Sequence, residues 1–296
     1  MKRLALVVLI AALLVLGGCL DGVGTDTGES AVDTDDTLED VGSNTTAGET
    51  GADDDDADTA ESDESAGDEP GTGEDADVDG TLEVHHIDVG QADATLLIEP
   101  SGETMLIDSG DWPQAGSDVI DYLEDQDVDR IDHLVATHGH ADHIGGHDAI
   151  IEHYETERDG IGAAYDSGVA ATSQTYERYL DAIEDHDVEL LLVEEGDSLE
   201  FGDVTVDVLN PPAGDSGADL HYNSVTLHLE FGEFAYLTTG DAEDDAEQRM
   251  VEEWGDELEA DVYQAGHHGS TTSSTPSFMD AVTPEVAIIS SAYDSQ

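Results

Sequence analysis

Between residues 82 and 290, apolar runs of strand length alternate with segments whose apolar residues recur every three or four positions. Residues 82–88, 94–99, 104–108, 133–137, 190–193, 204–209, 224–230, 233–238, 262–265 and 286–290 read as strands. Residues 116–125, 141–153, 173–185, 242–253 and 276–282 read as helices. Turn signals such as Pro100-Ser101-Gly102 and Phe231-Gly232 set several strands in hairpin-like succession. The mixture predicts an α/β domain in which helices cover sheets. No internal repeat is visible.

The pattern changes upstream. Residues 4–16 are continuously apolar. As a helix they would reach only about 20 Å, short of a roughly 30 Å hydrocarbon core. Lys2 and Arg3 precede the run, and Leu16-Gly17-Gly18-Cys19 ends it. Residues 1–19 therefore read as an export signal resembling that of lipoproteins, with a lipid on Cys19 holding the protein at the extracellular face of the cell membrane. A simply cleaved signal or an uncleaved anchor is the alternative. Residues 20–80 hold 23 Asp and Glu, no Lys or Arg and no aromatic residue. Such a segment cannot bury enough apolar surface to offset its ordering entropy, so a disordered, self-repelling tether is expected. Asn44-Thr45-Thr46 is a glycosylation sequon within it. Residues 81–296 read as one domain, long enough for a substantial core.

Charge narrows the classes. The 296 residues carry 74 Asp and Glu against 6 Lys and Arg, a formal net charge of −68. A basic nucleic-acid-binding surface is excluded. The single cysteine excludes a disulfide framework. Acidity is not confined to the tether, because residues 81–296 contain 51 acids and only 4 arginines. Acidity on this scale is expected of a protein from a salt-accumulating halophile.

The densest chemical signal is Thr137-His138-Gly139-His140-Ala141-Asp142-His143-Ile144-Gly145-Gly146, directly after an apolar strand. Imidazoles and a carboxylate at a strand end suit divalent transition metals, zinc first. The His138-x-His140-x-Asp142-His143 pattern resembles the metal motif of the metallo-β-lactamase superfamily. Asp88-Val89-Gly90-Gln91-Ala92-Asp93, Leu106-Ile107-Asp108-Ser109-Gly110, Thr238-Thr239-Gly240-Asp241 and Ala265-Gly266-His267-His268-Gly269-Ser270 follow in order. They resemble the metallo-β-lactamase-like domain of ComEC-type DNA-uptake proteins, here without the membrane channel segments.

The resemblance implies a four-layer αβ/βα metallo-β-lactamase sandwich. It implies that His138 and His140 hold one ion, that Asp142, His143 and His267 hold a second, and that Asp241 bridges them. Zinc is expected, as one ion or two, with manganese as the alternative. Asp142 and His268 are the expected catalytic side chains, His268 outside the ligand set because adjacent strand residues face opposite ways. Ser270 and the Gly269 turn are candidates to bind an oxyanion. A histidine that most of the superfamily places before the bridging aspartate has no clear counterpart. Asn223 or Ser224 is expected to face the site there, with His221 as the alternative. Asp88 and Asp108 are expected as supports, and Trp112 and Trp254 as packing residues. His85, His86, His133, His147, His153, His186 and His228 read as structural or surface residues. Family members continue with a loop and a final helix where this sequence stops, so it reads as a C-terminal truncation, with a natural short variant as the alternative. The implied function is an exported metal-dependent hydrolase of phosphodiesters, with nucleic acid or a nucleotide as substrate. Hydrolysis of another ester, lactone or amide, or a non-catalytic lipid-anchored binding role, are the alternatives.

Overall fold

The computed structural model describes residues 78–292, so the predicted signal (1–19) and nearly all of the tether (20–80) lie outside the described residues. Among the described residues, no helix is long and apolar enough to cross a membrane.

Two six-stranded sheets carry the fold. The first is built in chain order from β1 (Glu83–His86), β2 (Thr95–Ile98), β3 (Thr104–Ile107), β4 (Ile131–Val135), β5 (Ile161–Asp166) and β6 (Leu190–Leu192). The second runs β12 (Val286–Ile288), β11 (Val262–Gln264), β10 (Phe234–Thr238), β9 (Thr226–Phe231), β8 (Val204–Asn210), β7 (Ser198–Phe201). Strands β3 to β6 are parallel, as are β10 to β12, while the remaining pairings are antiparallel hairpins.

Alternation along the strands builds three apolar layers. Leu97, Met105, Ile107 and Val135 of the first sheet meet Phe201, Val206, Val208, Leu227 and Tyr236 of the second. Their neighbours Leu96, Leu106 and Leu134 turn outward, under α1 (Ser117–Asp125), α3 (His147–Glu157) and α4 (Gln174–Asp185). Leu209, Leu237 and Tyr263 turn outward on the other side, under α5 (Asp244–Trp254) and α6 (Pro276–Val282). The expected four-layer αβ/βα sandwich is thus observed. Burying each such side chain contributes roughly 1.5–3 kcal/mol.

Most elements match the pattern that predicts them. Helix α4 is capped by Ser173, whose hydroxyl accepts the Tyr176 N–H, and buries Tyr176, Tyr179 and Ile183 at helical spacing. Pro276 opens α6, where a missing N–H costs nothing. The helix expected at 141–153 is two: α2 (Ala141–Ile144) and α3, broken at Gly145-Gly146. A Cβ on Gly145 would sit 2.2 Å from the Trp112 nitrogen, and one on Gly146 2.6 Å from the Gly116 Cα. The glycines let the loop after β3 press against the break, and that contact redirects the chain. Strands β5 and β7 were not expected. Trp254 packs as expected and donates to the Leu209 carbonyl at 3.1 Å, but Trp112 is 60% exposed.

Candidate metal centre

Most loops that carry the candidate ligands leave carboxyl ends of parallel strands, the edge where open α/β sheets place their ligands. Asp108 follows β3, His138 to His143 follow β4, Asp241 follows β10, and His267 and His268 follow β11. The loop before β9, antiparallel to β10, brings His221 to the same edge.

Asp241 stands at the centre, 1% exposed. Its Oδ1 lies 3.1 Å from His143 Nε2 and 3.8 Å from His268 Nε2. Its Oδ2 lies 3.6 Å from His138 Nε2 and 3.7 Å from His267 Nε2. One carboxylate oxygen therefore faces each of two donor groups. His138, His140, His221 and Asp241 form the first, with one donor atom from each lying within 4.8 Å of the others. Asp93, His143, Asp241 and His268 form the second by the same measure. Asp142 joins the second group through Oδ2, 3.4 Å from His268 Nε2.

Local structure fixes these positions. Gly240 turns at φ 50°, and a Cβ there would lie 2.4 Å from Ser224 Oγ. The Ser224 hydroxyl in turn accepts the Asp241 N–H at 3.0 Å. Asp108 takes the Thr137 N–H at 2.9 Å on Oδ1. Its Oδ2 takes the Thr137 hydroxyl and His143 Nδ1, both at 2.7 Å. Asp108 thus acts as the expected support, leaving His143 Nε2 facing Asp241. Asp88 is exposed and accepts only the Gly90 N–H at 3.3 Å among its hydrogen bonds.

The electrostatics follow from burial and these partners. Burial alone, reinforced by His143, pushes His138 well below the ordinary imidazole range. Burial also opposes charge on His143, but Asp241 and Asp108 outweigh it and raise its pKa well above normal. Burial works against the carboxylate of Asp241, yet His143 holds its pKa below the usual carboxyl range. Asp142 is likewise held low against burial, by His268 and His143.

The donor set fits a divalent cation. His143 Nε2, His268 Nε2 and Asp241 Oδ1 are buried, point into one space and have no hydrogen-bond partner. Buried polar atoms are nearly always paired, and each orphan costs about 1–3 kcal/mol. Three converging orphans of these types are what a cation would satisfy.

The structure brings all the expected residues together: His138, His140, Asp142, His143, Asp241, His267 and His268. It distributes the last two differently from the strand argument. Residues 266–269 are a left-handed turn, with φ 47° at His267 and 53° at His268, so both side chains reach the centre. His268 faces His143 and Asp142, whereas His267 turns to the first group, with its Nδ1 3.0 Å from Glu243 Oε1. Asn223 and Ser224, favoured for the missing position, are engaged elsewhere. Asn223 donates to the Asp219 carbonyl and accepts from Ser216, and Ser224 holds Asp241. His221 is the residue at the first group. Sequence reasoning did not single out Asp93 or Glu243. An acid flanked by Ala92 and Ala94 at a strand entry was a signal for Asp93. Nothing local marked Glu243, one of five acids between residues 241 and 247.

Two stacked sheets between helical layers, with a His/Asp cluster at their carboxyl edge, define a class of metal-dependent hydrolases. The chain belongs to the metallo-beta-lactamase superfamily, whose pattern matches residues 87–292. It is 30% identical over 230 residues to ComE operon protein 3 of Bacillus subtilis, covering 72% of this chain and 29% of that protein. It is 30% identical over 207 residues to competence protein ComA of Neisseria gonorrhoeae, covering 70% of this chain and 26% of that protein. The chain therefore spans less than a third of the length of these relatives. Among solved structures, the metallo-beta-lactamase fold protein YhfI from Bacillus subtilis aligns with a TM-score of 0.44 at 13% identity, over 62% of this chain and 70% of that one.

Proposed function

We propose that this chain is a zinc-dependent phosphodiesterase acting on nucleic acid or nucleotides. The observation that carries the reading is the division of Asp241 between two donor groups. His138, His140 and His221 would hold one ion and Asp142, His143 and His268 the other, with Asp241 reaching both. Divalent ions would supply Lewis acidity and an activated water there. Kinship with competence proteins supports a nucleic-acid substrate, and the imidazole-rich donor set supports zinc over manganese.

The protein's own groups do the rest. Asp108 locks the His143 ring. Ser224 and Gly240 fix the Asp241 backbone. The low pKa of Asp142 keeps a charged carboxylate at the mouth, able to accept a hydrogen bond from a water and orient it.

Metal analysis of the purified full chain, with a phosphodiesterase assay in multimolar KCl containing zinc or manganese, tests the proposal. Asp241→Ala should lose both ions and abolish turnover. Unchanged metal content in Asp241→Ala and in alanine variants of His138 and His143 would end the metallohydrolase reading.

A further inference from the structure

We propose that Glu243 is a positioning residue that aims the rim histidine His221 toward the first ion and holds His267 beside it, an inference resting on the metal-hydrolase reading above. It begins with a helix end. Glu243 occupies the N-cap of α5, where a side-chain oxygen usually accepts a first-turn N–H, yet it makes no such bond. Its carboxylate turns the other way. Oε1 lies 3.0 Å from His267 Nδ1 and 3.3 Å from His221 Nδ1, and accepts the Thr272 hydroxyl at 2.7 Å. Three donors converge on one oxygen.

With Nδ1 committed, each ring presents Nε2. His221 Nε2 lies 3.3 Å from His140 Nδ1, and His267 Nε2 lies 3.7 Å from Asp241 Oδ2. His221 Nε2 thus points into the group made by His138, His140 and Asp241, and His267 Nε2 faces Asp241 beside it. A carboxylate on the far nitrogen of a ligating histidine sets its tautomer and ring angle and raises its basicity.

The chain needs such a device here. His221 and His267 ride on loops, with side chains 25% and 27% exposed, so burial alone does not fix their rings. Asn223 and Ser224 are occupied, so the first ion depends on His221 for its fourth donor, and the His267 ring packs against that of His221 with centroids 4.7 Å apart. His138 needs no such help, being completely buried. Glu243, His221 and His267 also place three donor atoms within 4.8 Å, the spacing of a separate ion site. Convergence of three donors on Oε1 favours the orienting role over direct ligation.

The test is zinc binding to the full chain against a competing chelator, with cobalt absorption as a second readout. Wild type should load in two steps. Glu243→Ala should weaken one step by about 10–100-fold and leave the other unchanged. Its cobalt spectrum should change in the bands that His138→Ala also removes. Glu243→Gln still accepts from Nδ1–H and should recover most of the affinity. Thermal melts check that each variant is folded, and Glu243→Gln keeps the test informative if the alanine variant is not. Equal weakening of both steps, an unchanged isotherm, or a glutamine variant as poor as alanine would overturn the positioning role. So would a third equivalent of zinc lost on substitution. A wild-type chain that binds no ion would instead defeat the metal-hydrolase reading itself.

Discussion

At the scale of single residues, the buried carboxyl of Asp166 gives the protein a pH signature apart from the metal centre. Asp166 ends β5, is 2% exposed and accepts the Gly168 N–H at 2.6 Å. Burial pushes its pKa up to about 6, against relief from Gly168 and Tyr176. A carboxyl raised in the folded state binds more protons there than in the unfolded chain. Its contribution is therefore complete below the unfolded value near 3.8 and is lost as pH rises through about 6. The shift corresponds to roughly 3 kcal/mol. Asp166→Asn should remove this loss. Chemical denaturation of the two proteins should show the variant gaining about that much relative to wild type between pH 4 and pH 7. Parallel pH profiles would show that Asp166 does not carry the cost. The same scale shows what sequence could disclose about the site. His138, His140, Asp142 and His143 were legible because they share one loop and need no tertiary structure to meet. The roles of His267 and His268 were not, because a left-handed turn replaces strand alternation at φ values that sequence spacing cannot report. Glu243 became visible only when folding laid its carboxylate between two loops.

At the scale of elements, the break between α2 and α3 matters most. Gly145 and Gly146 admit the loop after β3, and the Gly145 N–H binds the Gly110 carbonyl at 2.9 Å. The same contact carries Ser109, whose N–H binds the His143 carbonyl at 2.6 Å. Gly146→Ala would force a Cβ against the Gly116 backbone, with no flexible side chain to yield. It should cost about 1–3 kcal/mol, as overpacking does. Zinc affinity should fall with it, because α2 carries Asp142 and His143. Melting temperature and metal content measured together check this. A destabilised variant with unchanged metal affinity would separate the break from the site. The apolar runs of β3, β4, β8 and β10 were plain in the sequence because they fill the inter-sheet core. Strand β5 was missed because Gly162-Ala163-Ala164 lacks the branched and aromatic residues that mark strands, and is held by its neighbours β4 and β6 instead. Strand β7 was missed because only Leu199 and Phe201 point inward from its four residues.

At the scale of the whole molecule, charge dominates. Every arginine in the described residues is tied to a carboxylate: Arg130 to Asp132, Arg158 to Glu124 and Asp129, Arg178 to Asp148, Arg249 to Glu195. Among the described residues, no arginine or lysine is left to meet a phosphate. A nuclease with a basic groove binds more weakly as salt rises, because binding releases counterions. This protein should show the opposite sign. At about 0.1 M salt its repulsion of a polyanion reaches about 10 Å, and at 1 M only about 3 Å. Apparent KM for an oligonucleotide should fall as KCl rises, and fall less for a small neutral-ended diester. A KM that climbs with salt would show a cationic contact that the described residues do not supply, and would overturn this expectation. The division of donors between the sheets adds one further consequence. His138, His140, Asp142 and His143 belong to loops of the first sheet, and His221, Asp241 and His268 to loops of the second. An ion shared among them would act as a rivet through the seam between two halves that otherwise meet through side-chain packing and a few hydrogen bonds, such as the Val225 N–H to the Thr137 carbonyl at 2.8 Å. Chelation would then unfasten a joint as well as silence a catalyst, and the ion could be captured only after the two sheets had already closed face to face.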